Sequence, residues 1–276
     1  RAIGFSVDIG RRRPLYDSLV SKSPRAASSG YTLKSDEMTA VVPVLSVLIP
    51  AHNEEANLRY CVEIISAKLD GWRVNAEFLI VNDCSRDRTR QIADELAESD
   101  RRIRVFHRPA QRGIGGGFLT GIDQARGEWL ILIPADLALD PDEIRKYLAA
   151  VTDADIVVGV SSARYNYSPF RHLISWANIS LIQKLFGMTQ RQFNYISLYR
   201  LDVLRAIAIN YTHSAFFFAE ILIKAKAQGR RLVEVEIRYV PRVAGNASGT
   251  RLRLITRTVM DMLHFWLLWR RQPQMD

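Results

Sequence analysis

"VLSVLIPAHNEEANLRYCVEIISAKLDGWRVNAEFLIVND", Val44 to Asp83, decides the fold. An apolar run, VLSVLIP, stops at a proline. A helical stretch follows from about Glu54 to Leu69, and a second apolar run, AEFLIVND, comes after it. Two strand-like runs bracketing a helix form a unit whose strands lie parallel. The runs are nearly continuous rather than alternating, as in strands covered on both faces. The rhythm persists. A helix begins near Asp87-Arg88-Thr89, IRVFH is a third strand, and GGGFLTGIDQAR opens a third helix. EWLILIP is a fourth strand, Asp140-Pro141 cap and start a fourth helix, and ADIVVGV is a fifth strand. The expected class is α/β, a mostly parallel sheet flanked by helices.

Beyond the fifth strand the chain becomes more helical. SPFRHLISWANISLIQKLFG has apolar residues at roughly helical spacing, with Gly187 as its stop, and FFFAEILIKAKAQG ends at Gly229. RLVEVEIRYVP alternates and predicts a half-exposed strand. RLRLITRTVMDMLHFWLLWRR predicts an apolar helix flanked by arginines, with Trp266 and Trp269 suited to a membrane interface. Residues 1–43, rich in Ser and Arg without periodicity, are expected to be a disordered or loosely docked extension. The expected division is 1–43, 44–250 for the α/β domain, and 251–276 for a C-terminal amphipathic helix.

The 276 residues carry a net charge of +9, an excess that suits an anionic partner. Nucleic acid fits poorly, because the charge is scattered and no aromatic-basic RNA motif is present. A phosphorylated substrate or an anionic membrane face remains. No apolar run reaches the ~18 residues of a membrane span. The first twenty residues lack the apolar core of a signal peptide. Two cysteines, Cys61 and Cys84, give neither a disulfide framework nor zinc spacing. The expectation is a cytoplasmic protein, peripheral on the cytoplasmic face of the membrane.

Ligands of open parallel sheets bind at the carboxyl ends of the strands. Four such ends are polar here. The first strand runs into Pro50-Ala51-His52-Asn53-Glu54 and the second into Asn82-Asp83-Cys84-Ser85. The third runs into Arg112-Gly113, and the fourth, through Pro134-Ala135, into Asp136. RGIGGGF is not a dinucleotide fingerprint, since it follows the third strand and Phe118 replaces the last glycine. Glycines before a helix would still let a diphosphate approach backbone amides, with Arg112 adding charge. A two-carboxylate metal clamp would need an acid at both ends of Pro134-Ala135-Asp136, and proline holds the first place.

In order and wording these motifs resemble the family-2 glycosyltransferases of the GT-A fold, and among them the dolichol- and polyprenyl-phosphate hexosyltransferases. SVLIPAHNEEANL is similar to their opening. IVNDCSRDRT stands in the place of VDDGSxDxT, and RGIGGGFLTGIDQARGEWLILIPADLALDP in that of the N-x-G-x-G-x-A…D-x-D segment. Ser162, Arg164, Pro169, Arg171, Ser175 and Asn178 match a further segment, and RYVPRVAGNASG extends the likeness. The resemblance implies an inverting transfer of a hexose from a UDP- or GDP-linked sugar to a polyprenyl phosphate. Pro50, Ala51, His52, Asn53, Glu54, Asp83, Ser85, Ala135 and Asp136 would hold the donor, with Arg112 and Gly113 at the diphosphate. Arg164 and Arg171 would hold the acceptor phosphate. Asp136 and Glu220 would be the catalytic carboxylates, Glu220 being either near the sugar or on a helix surface. Asn194 stands where relatives often carry Asp. With Pro134 and Ala138 in place of metal-binding positions, only Asp136 can ligate Mg2+ or Mn2+. The cation is then expected to bind weakly and with the donor. Two alternatives stand beside this reading: a hydroxyl acceptor, for which Glu220 is the visible base, and a non-catalytic nucleotide-sugar-binding relative.

Overall fold

The computed structural model describes residues 44–137, 139–161, 169–193, 196–238 and 252–271. The first half alternates as expected. Strand β1 (Leu45–Ala51) leads to helix α1 (Leu58–Gly71), β2 (Ala76–Asn82) to α2 (Thr89–Ser99), and β3 (Ile103–His107) to α3 (Gly113–Gln124). Strand β4 (Trp129–Leu132) is followed by a 3-10 turn, Pro141–Glu143, and by α4 (Ile144–Ala149). The Asp140 side chain accepts from the Asp142 amide and caps that turn, with Pro141 at its first position. Then come β5 (Ile156–Ser161), α5 (Pro169–Phe186), β6 (Ser197–Arg200), α6 (Leu201–Arg205), α7 (Phe216–Ala227), β7 (Leu232–Ile237) and α8 (Leu252–Trp269).

One seven-stranded sheet, in the order β3-β2-β1-β4-β6-β5-β7, holds these elements together. Only β6 runs against its neighbours, pairing antiparallel with β4 and β5. This short strand has no counterpart in the sequence reading. Ser197, Leu198 and Tyr199 are all buried, so they show no alternation.

Each face of the sheet has its own core. Val47, Ile49, Ile80 and Ile131 pack under α1, α2 and α4, against Leu58, Ile65, Leu96 and Tyr147. Leu48, Leu79, Leu130 and Val158 lie under α3, α7 and α8, against Phe118, Phe217 and Met262. Burying both faces closes the sides of the sheet and leaves its edge of loops open to ligand. Gly187 ends α5 at φ +63°, as its sequence position predicts. Helix α1 starts at Leu58 rather than Glu54, because Glu54 and Glu55 belong to the ligand-side loop.

Candidate active site

Strand register aligns the first residue past each strand. Asn82 pairs with His107 and Ala51 with Asn82. Arg108, Asp83 and His52 therefore follow at the same level. The β1–β4 register ends at Leu48 and Leu132, and the turn that follows β4 carries Asp136 at the same edge of the sheet. The row runs guanidinium, carboxylate, imidazole, carboxylate across four adjacent strands.

The loops that carry this row are tied to one another. The Asn53 amide donates to Ser85 Oγ at 3.0 Å, and the Arg86 amide donates to Asn53 Oδ1 at 2.8 Å. The Glu54 amide donates to Thr89 Oγ1 at 2.8 Å, while the Glu55 amide and Arg88 amide complete exchanges with Asp87 and Glu55. Burial pushes the Asp87 carboxyl up, but hydrogen bonds from the Thr89 hydroxyl and nearby amides outweigh it and leave the group below its ordinary range. Asn53, Cys84 and Leu137 have positive φ angles of 56°, 60° and 47°. Such backbone outliers concentrate where a binding loop is held in one shape.

Asp83 is almost fully buried, and its carboxylate is spoken for. It accepts from the Arg112 amide at 3.0 and 3.2 Å and from the Gly113 amide at 2.7 Å. Arg108 Nη1 stands 3.2 Å away. Asp83 thus acts as an internal anion at the start of α3, where the helix dipole favours negative charge. The expected open anion seat before α3 is changed accordingly: the Arg112 and Gly113 amides are taken by Asp83. Gly115 and Gly116 do not open space for a ligand either. A Cβ on Gly115 would lie 2.1 Å from the Thr212 carbonyl oxygen, and one on Gly116 would lie 2.6 Å from Arg108 Nη1. Gly113 itself has open space around it.

His52 lies between two partners. Nδ1 is 2.9 Å from the Asp83 carbonyl, which can only accept, so the ring carries its hydrogen on Nδ1. Nε2 then accepts from Asn53 Nδ2 at 3.4 Å. On the other side of β1, Ala135, Leu137 and Leu139 are buried and anchor the loop after β4, leaving Asp136 between them half-buried. The Leu137 amide donates to the Pro134 carbonyl at 3.0 Å, closing a turn. Beneath it the Cys61 thiol points at the same carbonyl, 3.8 Å away, and burial raises its pKa well above the ordinary thiol range. Cys61 is therefore a core thiol.

Glu220 requires a correction. Its side chain is completely buried, so it is not a helix-surface carboxylate. It accepts from the Asn210 amide at 3.0 Å and the Tyr211 amide at 3.0 Å, and pairs with Lys224 at 2.6 Å. It fixes the loop before α7. Sequence reasoning also missed Arg108, although it holds the same position after β3 that Asp83 holds after β2. Of the remaining expected residues, Arg164, Ser162, Asn194 and Ala138 lie outside the described residues, as do most of RYVPRVAGNASG and the side chain of Arg171. No group of three or more His, Cys, Asp or Glu forms a metal cluster among the described residues. Asp136 can serve as a single hard oxygen ligand, which fits a cation held mainly by substrate phosphates.

Comparison with known proteins agrees with this edge. The profile of the family described as glycosyl transferase family 2 matches residues 46–224, more than half of the chain, and includes every loop of the row. The chain belongs to glycosyltransferase family 2. Within this family it is 29% identical over 211 residues to an undecaprenyl-phosphate mannosyltransferase of Micrococcus luteus, covering 73% of this chain and 85% of that protein. It is 28% identical to a dolichol-phosphate mannosyltransferase of Pyrococcus furiosus, covering 84% of this chain but only 65% of the relative. Solved structures share the GT-A fold. Glucosyl-3-phosphoglycerate synthase of Mycobacterium tuberculosis, in complex with Mn2+, UDP and phosphoglyceric acid, superposes with TM-score 0.63 at 17% identity, covering 81% of this chain and 78% of that one. A mannosyltransferase of Pyrobaculum calidifontis in complex with GDP-Man and Mn2+ gives 0.59 at 16% identity, with coverage of 82% and 65%. Membership of family 2 makes the chain a glycosyltransferase, and the polar row lies in the part of the fold that the family profile covers.

Proposed function

We propose that the chain transfers a hexose from a nucleoside diphosphate sugar to a polyprenyl phosphate at the cytoplasmic surface of a membrane. The observation that carries the proposal is the two-sided character of α8. Thr258, Met262 and Phe265 bury one stripe of α8 in the core. Met260, Leu263, Leu267 and Leu268 remain exposed on the helix, and Trp176 and Leu173 are exposed on α5, which packs against it. Arg257, Arg270 and Arg271 accompany this face, with the Arg270 guanidinium 4.7 Å from the Trp266 ring centroid. An apolar face with flanking cations suits a lipid surface. No helix among the described residues is long and apolar enough to cross a membrane. The names of the Micrococcus and Pyrococcus relatives supply the acceptor class.

The step itself is simple in outline. An acceptor phosphate oxygen attacks the anomeric carbon, and the bond to the donor diphosphate breaks with its electrons leaving on the diphosphate. The configuration inverts. A phosphate monoester is mostly ionised near neutral pH, so no strong base is needed. This agrees with Glu220 being engaged with two amides and Lys224, and it weakens the hydroxyl-acceptor alternative. His52 and Asn53 border the base and ribose end of the proposed donor site. Gly113 and Arg112 border the diphosphate, and Arg164 and Arg171 are assigned to the acceptor phosphate. Asp136 would hold a Mg2+ or Mn2+ ion together with the diphosphate; the cation would stabilise charge on the leaving group. The test is incubation with a panel of labelled nucleotide sugars, with and without polyprenyl phosphate. Donor consumption that requires the lipid supports the proposal; tight donor binding without turnover under any condition contradicts it.

A further inference from the structure

The ring of His107, the last residue of β3, lies between two side chains from different elements. Nε2 is 2.8 Å from Asp94 Oδ1 on α2, and Nδ1 is 3.1 Å from Asn82 Nδ2 at the end of β2. The carboxylate only accepts, so Nε2 carries the hydrogen. The amide nitrogen only donates, so Nδ1 presents its lone pair. Both ends of the ring require the same neutral tautomer.

Asn82 makes this tautomer matter. The residue is buried, and its Oδ1 accepts from the Ser85 amide at 3.2 Å, a bond that spans Cys84 and closes the turn after β2. A backbone N–H can only donate, so Asn82 must present oxygen to Ser85 and nitrogen to His107. Turning the amide over would set its NH2 group against the Ser85 N–H. It would also leave the Nδ1 lone pair facing an oxygen. The Asn82 backbone is held independently, since its carbonyl accepts from the Arg108 amide at 2.9 Å. His107 therefore acts on the side chain of Asn82 and not on its place in the sheet.

The turn after β2 carries the effect to the first loop. Ser85 Oγ accepts from the Asn53 amide at 3.0 Å, and Asn53 Oδ1 accepts from the Arg86 amide at 2.8 Å. Cys84 and Asn53, on the two sides of this exchange, hold φ angles of 60° and 56°. Residues other than glycine keep such angles only where their surroundings fix them. Asp94, His107, Asn82, Ser85 and Asn53 thus form one hydrogen-bonded line, from the exposed surface of α2 to the loop after β1. We infer that His107 is a positioning residue for glycosyl transfer: by fixing the amide of Asn82 it sets the loops after β1 and β2 that border the donor nucleotide. This rests on the donor placement proposed for His52 and Asn53, and it holds for any sugar or acceptor.

The test is residue-resolved amide hydrogen exchange on the full chain, with calorimetric titration of UDP and GDP on the same samples. Asparagine places a side-chain oxygen where Nδ1 lies, and glutamine places an amide where Nε2 lies. His107→Asn therefore keeps an acceptor for Asn82 and gives up Asp94, while His107→Gln keeps Asp94 and gives up Asn82. In His107→Gln the Ser85 and Asn53 amides are expected to exchange about tenfold faster, with the Leu48 and Ile80 amides inside β1 and β2 unchanged. The nucleotide that wild type binds should bind about fivefold more weakly, the worth of one neutral hydrogen bond. His107→Asn should keep affinity and exchange within about twofold of wild type. Equal behaviour of the two variants overturns the inference, because a role in packing alone does not distinguish the two ends of the ring. So does wild-type exchange at Ser85 in His107→Gln. A measurement on wild type needs no variant: nitrogen NMR of the neutral His107 ring should find the hydrogen on Nε2, and a hydrogen on Nδ1 overturns the inference. If wild type binds neither nucleotide, the donor reading fails, and the exchange pattern alone decides the role of His107.

Discussion

The Gly113 amide donates to Asp83 Oδ2 at 2.7 Å, joining the start of α3 to the end of β2. Through that bond and the one from Arg112, the acid of the second strand-end loop holds the third loop in place. Asp83→Ala leaves two amides and the Arg108 guanidinium without their anion. It should cost about 3 kcal/mol of stability and lower nucleotide affinity at the same time. Chemical denaturation and nucleotide titration of one protein batch measure both; loss of affinity with stability unchanged would make Asp83 a ligand-only group.

Glu220 gives a sharper contrast. If it were the base of a hydroxyl transfer, Glu220→Gln would lower kcat by about 10²–10⁴-fold. As a buried anchor it should do less to chemistry than to the fold. The expected outcome is kcat within about threefold of wild type, together with a lower melting temperature from the lost Lys224 pairing. Steady-state kinetics at a temperature where both proteins are folded decides between the two.

Asp87 sets a pH dependence. Its folded-state pKa lies below the unfolded value of about 3.9, so the unfolded chain binds more protons in that window. The stability it contributes is present above the unfolded value and is lost as pH falls through the folded one. Denaturation midpoints should therefore drop less steeply in Asp87→Asn than in wild type below about pH 4. Parallel curves would remove Asp87 from the link between the first two loops.

Asp136 should matter more to turnover than to stability. Asp136→Ala is expected to lower kcat by about 10²-fold or more, since one preorganised charge at a leaving group is worth that much. Mg2+ and Mn2+ should bind measurably only with donor present. Calorimetry of the free protein would contradict this by finding micromolar cation binding without nucleotide.

The exposed stripe of α8 can be altered without touching the core. Met260, Leu263 and Leu267 are 69%, 42% and 50% exposed. Replacing all three with Glu should abolish sedimentation with anionic liposomes while leaving the melting temperature nearly unchanged. Unchanged sedimentation would place the lipid contact elsewhere.

Much of this architecture was legible in the sequence because buried parallel strands leave continuous apolar runs, and the runs ending in Pro50, Asn82 and Leu132 did so. Strand β6 was not, because four residues in the middle of a sheet show neither length nor alternation. The site was half legible. His52, Asp83 and Asp136 follow strands in the chain, but Arg108 is one arginine among several until the register Asn82↔His107 lifts it into the row. Glu220 had a signal that went unused. FFFAEILI is apolar on all sides, so its helix had to be buried, and a carboxylate there needs partners such as the lysine four residues on.

The most direct measurement of the central claim is mass spectrometry of the lipid fraction after incubation with polyprenyl phosphate and a matching nucleotide sugar. The account predicts a product heavier than the lipid phosphate by one hexose residue, formed in step with release of the nucleoside diphosphate. Nucleoside diphosphate released with free sugar and no glycosylated lipid, or a glycosylated product formed equally well on a lipid alcohol, would contradict it.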